Sequence, residues 1–207
     1  MKKVVLLFIL FVFSLSQADA QEFHFIPRIG LNLANTYPES FADMRPGLNI
    51  GVAEEIRFSK PGVYYSMQGY QKENAKGETA RLKADYLNIP IYAKFYLYRG
   101  FHLFAGPQVG FNIRAKASNY IFVSGPTPVH QSEYDFSGDK KEEIRNCDFS
   151  VSMGLGYTFD MGLVISANYN LGCTHFFKEP EYSFGGSNHF RGKDHNGVIQ
   201  FNLGWRF

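Results

Sequence analysis

Apolar and polar residues alternate with a period of two along most of this chain, and the alternation recurs in eight separate segments. Such alternation is the signature of a strand with two unlike faces. In "FHFIPRIGLNLA", Phe23, Phe25, Ile29, Leu31 and Leu33 share one face, and His24, Arg28, Gly30 and Asn32 share the other. "GLNIGVAEEIRF" sets Leu48, Ile50, Val52, Ile56 and Phe58 against Asn49, Gly51, Ala53, Glu55 and Arg57, with Glu54 out of pattern. "VYYSMQGYQK" is a third segment whose two faces the pattern does not separate. "DYLNIPIYAKFYLY" is the clearest, although Pro90 withholds a ladder donor in its middle. "FHLFAGPQVGFNIR", "CDFSVSMGLGYTF", "LVISANYNLGC" and "NGVIQFNLGWRF" complete the set.

The connectors alternate as well. Short ones, "SKPG", "RG" and "DMG", consist of turn residues, whereas long ones at about 35–45, 73–80, 115–146 and 176–195 are rich in Gly, Pro, Ser and charge. Short turns at one end and long loops at the other are the layout of an outer-membrane barrel. The greasy face of the last segment (Ile199, Phe201, Leu203, Trp205 and Phe207) would be an aggregation-prone edge in water. Paired with the first segment, it closes a barrel and its apolar face meets lipid. The expected fold is an all-β, eight-stranded, antiparallel up-and-down transmembrane barrel, with short periplasmic turns and long extracellular loops.

The amino terminus supports an exported protein. "MKK" is a basic leader, "VVLLFILFVF" an apolar run too short to span, and Ala18-Asp19-Ala20 a small-residue cleavage box before Gln21. Residues 1–20 therefore read as a secretory signal peptide and 21–207 as the barrel domain. Removing the signal takes two of 21 basic and one of 19 acidic residues, so the remainder is nearly neutral and gives no electrostatic case for nucleic acid. A mean hydropathy of −0.21 excludes a bundle of membrane helices. Aromatic content of 17% with 20 glycines suits a barrel in which only alternate residues meet lipid.

"YLNIPIYAKFYL", "GFHLFAGPQVGF" and "DFSVSMGLGYTF…ISANYNLG" together resemble the outer-membrane β-barrel domain family, the PorT-like "porin family". The resemblance covers nearly the whole chain after the signal. It implies the outer membrane of a Gram-negative bacterium, and contact with outer-membrane lipid and with the barrel-assembly machinery during insertion. Phe201, Trp205 and Phe207 resemble the carboxy-terminal signal which that machinery reads. The named member of the family concerns protein secretion, so envelope or secretion-system proteins are candidate partners.

Candidate chemistry is sparse. The inward parity places Arg28, Glu55, Arg57, Lys94, Arg114 and Arg206 in a lumen that eight strands leave just wide enough for side chains. Glu55 is expected to pair with Arg57, Lys94 or Arg206 and close the passage. His175, Ser183, Ser187, His189, Asp194 and His195 lie near the outer rim, but their spacing fixes no nucleophile–base geometry. The histidines lack metal-ligand spacing. Tyr64, Tyr65, Tyr70, Tyr92, Tyr96 and Tyr98 read as interfacial and lumen packing rather than a sugar platform. Cys147 and Cys173 meet at the rim if 158 pairs with 162, which permits a disulfide; pairing 159 with 163 sets them diagonal. The expectation is a barrel with neither enzymatic activity nor cofactor, whose surface loops bind or support an envelope assembly, with the loop at 115–146 as the leading candidate. A narrow pore for small molecules and a rim-located acyl or peptide hydrolase are the alternatives.

Overall fold

The computed structural model describes residues 23–37, 43–56, 59–73, 77–118, 121–124, 132–135, 137–178 and 194–207. The expected signal, with Ala18, Ala20 and Gln21, lies outside these residues, as do Arg57, Ser183, Ser187 and His189. The strands in chain order are β1 (Phe23–Tyr37), β2 (Asp43–Ile56), β3 (Ser59–Glu73), β4 (Thr79–Tyr98), β5 (Phe101–Ser118), β6 (Ile121–Ser124), β7 (Ser132–Asp135), β8 (Gly138–Asp139), β9 (Cys147–Thr158), β10 (Leu163–His175) and β11 (His195–Trp205).

Eight of these strands form one antiparallel sheet in the order β4-β3-β2-β1-β11-β10-β9-β5, and β4 pairs with β5 to close it. At the seam, β1 and β11 pair from Arg28–Gly204 to Tyr37–His195, so the apolar last segment has no free edge. The remaining short strands belong to the long connection after β5. β6 and β7 form a separate hairpin, and β8 pairs with the far end of β5.

Alternation decides which way each side chain points. Ile29, Leu31, Leu48, Ile50, Ile91, Leu103, Met153, Leu155, Phe201 and Leu203 are exposed on the outside, while the residues between them on each strand are buried or half-buried inside. On β4 this belt runs from Leu87 to Leu97, about the 9–11 residues that a tilted strand needs to cross a bilayer. β4 and β5 are 20 and 18 residues long, so both continue well past the belt. Their extension, with β3, is polar outside.

Three features depart from the pattern reading. "SKPG" is not a connector: Ile56 pairs with Ser59, so β3 starts there, Lys60 points inward, and the β2–β3 ladder skips Pro61, which has no N–H to donate. The third segment does have two faces. Lys60, Tyr64, Ser66, Gln68 and Tyr70 are buried on one parity, but tyrosines occur on both parities and hide the periodicity. Arg114 is exposed rather than in the lumen. Asp85 pairs with Arg114 but Tyr86 pairs with Asn112, so β5 holds one extra residue at Ile113, and a one-residue bulge reverses every side chain beyond it.

Inward glycines make room for large inward neighbours. A Cβ at Gly154 would lie 2.6 Å from the Phe104 ring, and one at Gly156 would lie 2.6 Å from His102 Nε2.

Candidate functional site

The lumen is built in layers. At the end with the short turns, Glu55 from β2 accepts a hydrogen bond from Lys94 Nζ at 2.8 Å and one from the Tyr96 hydroxyl at 2.6 Å. Lys94 also donates to the Tyr96 oxygen at 2.6 Å, which closes a three-membered ring of contacts. Lys94 is 1% exposed and Lys60, close enough to feel its charge and that of Glu55, is 2% exposed. Arg206 is half-buried at the same end, and its backbone N–H donates to Gly162 O. An aromatic tier lies next to these charges, with the His102 ring 5.3 Å from Tyr96 and 6.2 Å from Phe104, and Tyr92 5.2 Å from Phe104.

Arg28 occupies the middle. Its pair partners on both sides are glycines, Gly51 and Gly204. Its guanidinium donates to the Tyr64 hydroxyl at 3.1 Å and to Ser166 Oγ at 2.7 Å. Beyond it an amide network fills the bore. Asn32 Oδ1 accepts from Asn49 and Gln200 at 2.8 and 2.9 Å, and Asn32 Nδ2 donates to Ser66 Oγ at 2.9 Å. Asn168 donates to Gln200 Oε1 and accepts from Asn202, both at 3.0 Å. The space among Arg28, Asn49, Tyr64, Asn88 and Gln200 is about 10 Å³, roughly the room that one water requires. Of the charged residues expected in the lumen, Arg28, Glu55 and Lys94 are buried there and Arg206 is half-buried; this amide layer and Lys60 were not among them, although the inward parity places the amides there.

The loop end has its own apolar core. Tyr70, Leu82, Ala84, Tyr86, Ala115 and Ala117 line the inner side of the β3–β4–β5 extension, and Ile144 and Phe176 descend onto them from two connections. Phe176 packs edge-on against Tyr70 at 6.4 Å and against Phe177 at 5.0 Å. Backbone bonds tie the two connections together: Arg145 N to Phe176 O at 3.1 Å, and Lys178 N to Glu143 O at 2.9 Å. The mixed-charge run before β9 reads as a solvated stretch, yet Ile144 within it is 0% exposed. Around Ile144 the polar residues partner one another, with Lys140 to Glu143 at 2.6 Å and Lys141 to Asn146 at 3.1 Å.

At the rim, the His175 and His195 rings are 4.9 Å apart and Tyr37 stacks on His195 at 5.6 Å. The His195 ring nitrogen Nδ1 is bonded to Thr174 O at 3.1 Å, and Asp194 O accepts from Phe176 N at 2.6 Å. Among the described residues no group of three His, Cys, Asp or Glu side chains is placed to hold a metal ion. Cys147 and Cys173 are both free and exposed. The β9–β10 ladder pairs Thr158 with Val164 and Ser150 with Gly172, the diagonal register, and this register sets the two thiols apart. Tyr64, Tyr70 and Tyr92 are buried in the bore, Tyr65 is half-buried, and Tyr96 and Tyr98 are exposed at the turn end. Phe201, Trp205 and Phe207 are exposed on the outer face, and Phe207 N donates to Phe25 O at 3.0 Å.

The comparisons agree with this architecture. Neisserial surface protein A has a similar structure, with a TM-score of 0.53 at 12% identity over 91% of this chain and 100% of that one. Two others are the attachment invasion locus protein Ail of Yersinia pestis and OprG of Pseudomonas aeruginosa. Ail has a TM-score of 0.46 and 14% identity over 90% of this chain and 99% of its own; OprG has 0.48 and 8% over 90% and 97%. No curated protein matches this chain in sequence. The family model described as "Outer membrane protein beta-barrel domain" matches residues 16–188. A closed eight-stranded barrel with an apolar belt, matched by that model over most of its length, places the protein in the outer membrane of a Gram-negative bacterium, and the chain belongs to the outer membrane protein β-barrel domain family.

Proposed function

We propose that this protein is a non-enzymatic barrel with a sealed lumen, which holds a rigid binding surface outside the membrane for another component of the cell envelope. The packed bore supports this reading most directly: an ion pair, an aromatic tier, an amide network and an apolar cap follow one another along it, and the central space lined by Arg28, Asn49, Tyr64, Asn88 and Gln200 is about 10 Å³. Such a bore favours a sealed barrel over the narrow-pore alternative. The extension of β4 and β5 beyond the belt gives the loops a stiff base, and functional residues concentrate on loops held by rigid scaffolds. The candidate serines Ser183 and Ser187 lie outside the described residues, and the Thr174 hydroxyl at the rim is hydrogen-bonded to Asp148 rather than to a histidine ring, so no observation favours the rim-hydrolase reading. Insertion through the barrel-assembly machinery, with Phe201, Trp205 and Phe207 as the signal, belongs to the same proposal, as does a partner from a secretion or envelope assembly.

In the chain β6 and β7 lie between β5 and the cap residue Ile144, and they pair with each other in a sheet separate from the barrel. Replacing residues 119–136 by a short Gly/Ser linker is expected to leave heat-modifiable gel mobility intact. In pulldowns from solubilised outer membranes, the excised variant is expected to lose the partners that the full-length protein retains. Retention of the same partners by the excised variant would contradict this assignment of the binding surface.

A further inference from the structure

The outer face of the β3–β4–β5 extension bears a cluster of cations just beyond the apolar belt. Lys83 lies directly opposite Lys116 across the β4–β5 pair, Arg81 lies opposite Ser118, and Arg114 lies opposite Asp85. Arg81, Lys83, Arg114 and Lys116 are all exposed. Like charges directly opposite in an antiparallel pair repel and destabilise it. The ion pairs Lys94–Glu55 and Lys140–Glu143 involve none of the four, and none has a carboxylate ion-pair partner among the described residues. The acids nearest this face are Asp85, buried opposite Arg114, and Asp139, opposite Lys116 on β8; Glu73 and Glu78 flank the β3–β4 connection farther out.

Height decides what this cluster meets. Arg114 immediately follows the belt residue Ile113, and Lys83 is four residues beyond Leu87. At about 3.3 Å per residue along a tilted strand, the cluster spans roughly the first 10 Å above the hydrocarbon. That is the headgroup layer of the outer leaflet. Phosphate oxygens suit such a site, because guanidinium groups bind them in a fork and lysines as point charges. We propose that Arg81, Lys83, Arg114 and Lys116 bind the phosphate-bearing headgroup of an anionic lipid in the outer leaflet. The occupied site converts the Lys83–Lys116 repulsion into a shared contact and fixes the barrel's height in the membrane. It rests on the outer-membrane location and is independent of the sealed lumen and of any protein partner.

The test uses the full barrel folded in phosphocholine micelles, with fluorescent bisphosphorylated lipid A and its dephosphorylated counterpart as probes. Wild type is expected to bind the bisphosphorylated probe and to bind the dephosphorylated one at least about tenfold more weakly. At about one kcal/mol for each basic residue near an anionic surface, Lys83→Gln with Lys116→Gln is expected to weaken binding of the bisphosphorylated probe about 10- to 30-fold. Arg99→Gln, at the opposite end of the barrel, is expected to bind like wild type. Heat-modifiable mobility verifies that each variant is folded; should the double variant misfold, Lys116→Gln alone is expected to lose about fivefold. Equal affinity of wild type and a folded lysine variant, or equal affinity for the two probes, would overturn the proposal.

Discussion

Glu55→Ala is expected to destabilise the folded barrel by about 3–5 kcal/mol, the usual cost of leaving a buried charge without its partner. Lys94 is 1% exposed and its Nζ lies 2.8 Å from Glu55, while Lys60 and Arg28 add positive charge nearby. Alanine removes the carboxylate that pairs with Lys94 and also the acceptor of the Tyr96 hydroxyl. Urea unfolding in lipid vesicles, followed through the single tryptophan, measures the loss. Glu55→Met with Lys94→Met is expected to recover most of it, because a buried pair exchanged for apolar groups of similar volume is often neutral. A cost below about 1 kcal/mol for Glu55→Ala would mean that water, not protein, solvates these charges.

Phe176→Ala is expected to undo the cap without unfolding the barrel. The ring is 2% exposed and packs on Tyr70 and Phe177, and phenylalanine truncations in such cores cost about 3–5 kcal/mol. Here that energy holds two connections onto the barrel mouth, so the loss should appear locally. Hydrogen exchange at the amides of Arg145 and Lys178, which bond across the two connections, is expected to quicken by about two orders of magnitude or more. Amides of β9 and β10 below the rim should keep their protection. Unchanged exchange at Arg145 and Lys178 would show that Phe176 does not hold the cap.

The barrel was legible in the sequence wherever the two faces differ in hydropathy. β4 and β9 alternate so cleanly that their orientation follows from parity alone, and the pairing of the last segment with the first follows from its greasy face. β3 was opaque because Tyr64 points in and Tyr65 points out, and hydropathy does not distinguish them. Arg114 was misassigned because parity assumes an unbroken ladder, and a single extra residue at Ile113 is invisible until register is known. The thiol pair depended on that same kind of one-step choice, which the β9–β10 turn made in the other direction. Ile144 was hidden for a different reason: one apolar residue among "GDKKEEIR" has no periodicity, and only the tertiary surface of Tyr86 and Ala115 gives it a place to bury. The amide network follows the inward parity, yet its meaning as a seal depends on side chains from five strands meeting, which no local pattern reports.

Single-channel recording in planar bilayers tests the sealed lumen most directly. The purified, heat-modifiable barrel is expected to add no steady conductance at any holding potential, because the Glu55–Lys94 pair, Arg28 and the Asn32–Gln200–Asn168 network join side chains across the bore. Stable, uniform conductance steps from the wild-type protein would contradict the sealed barrel and establish an open path through it.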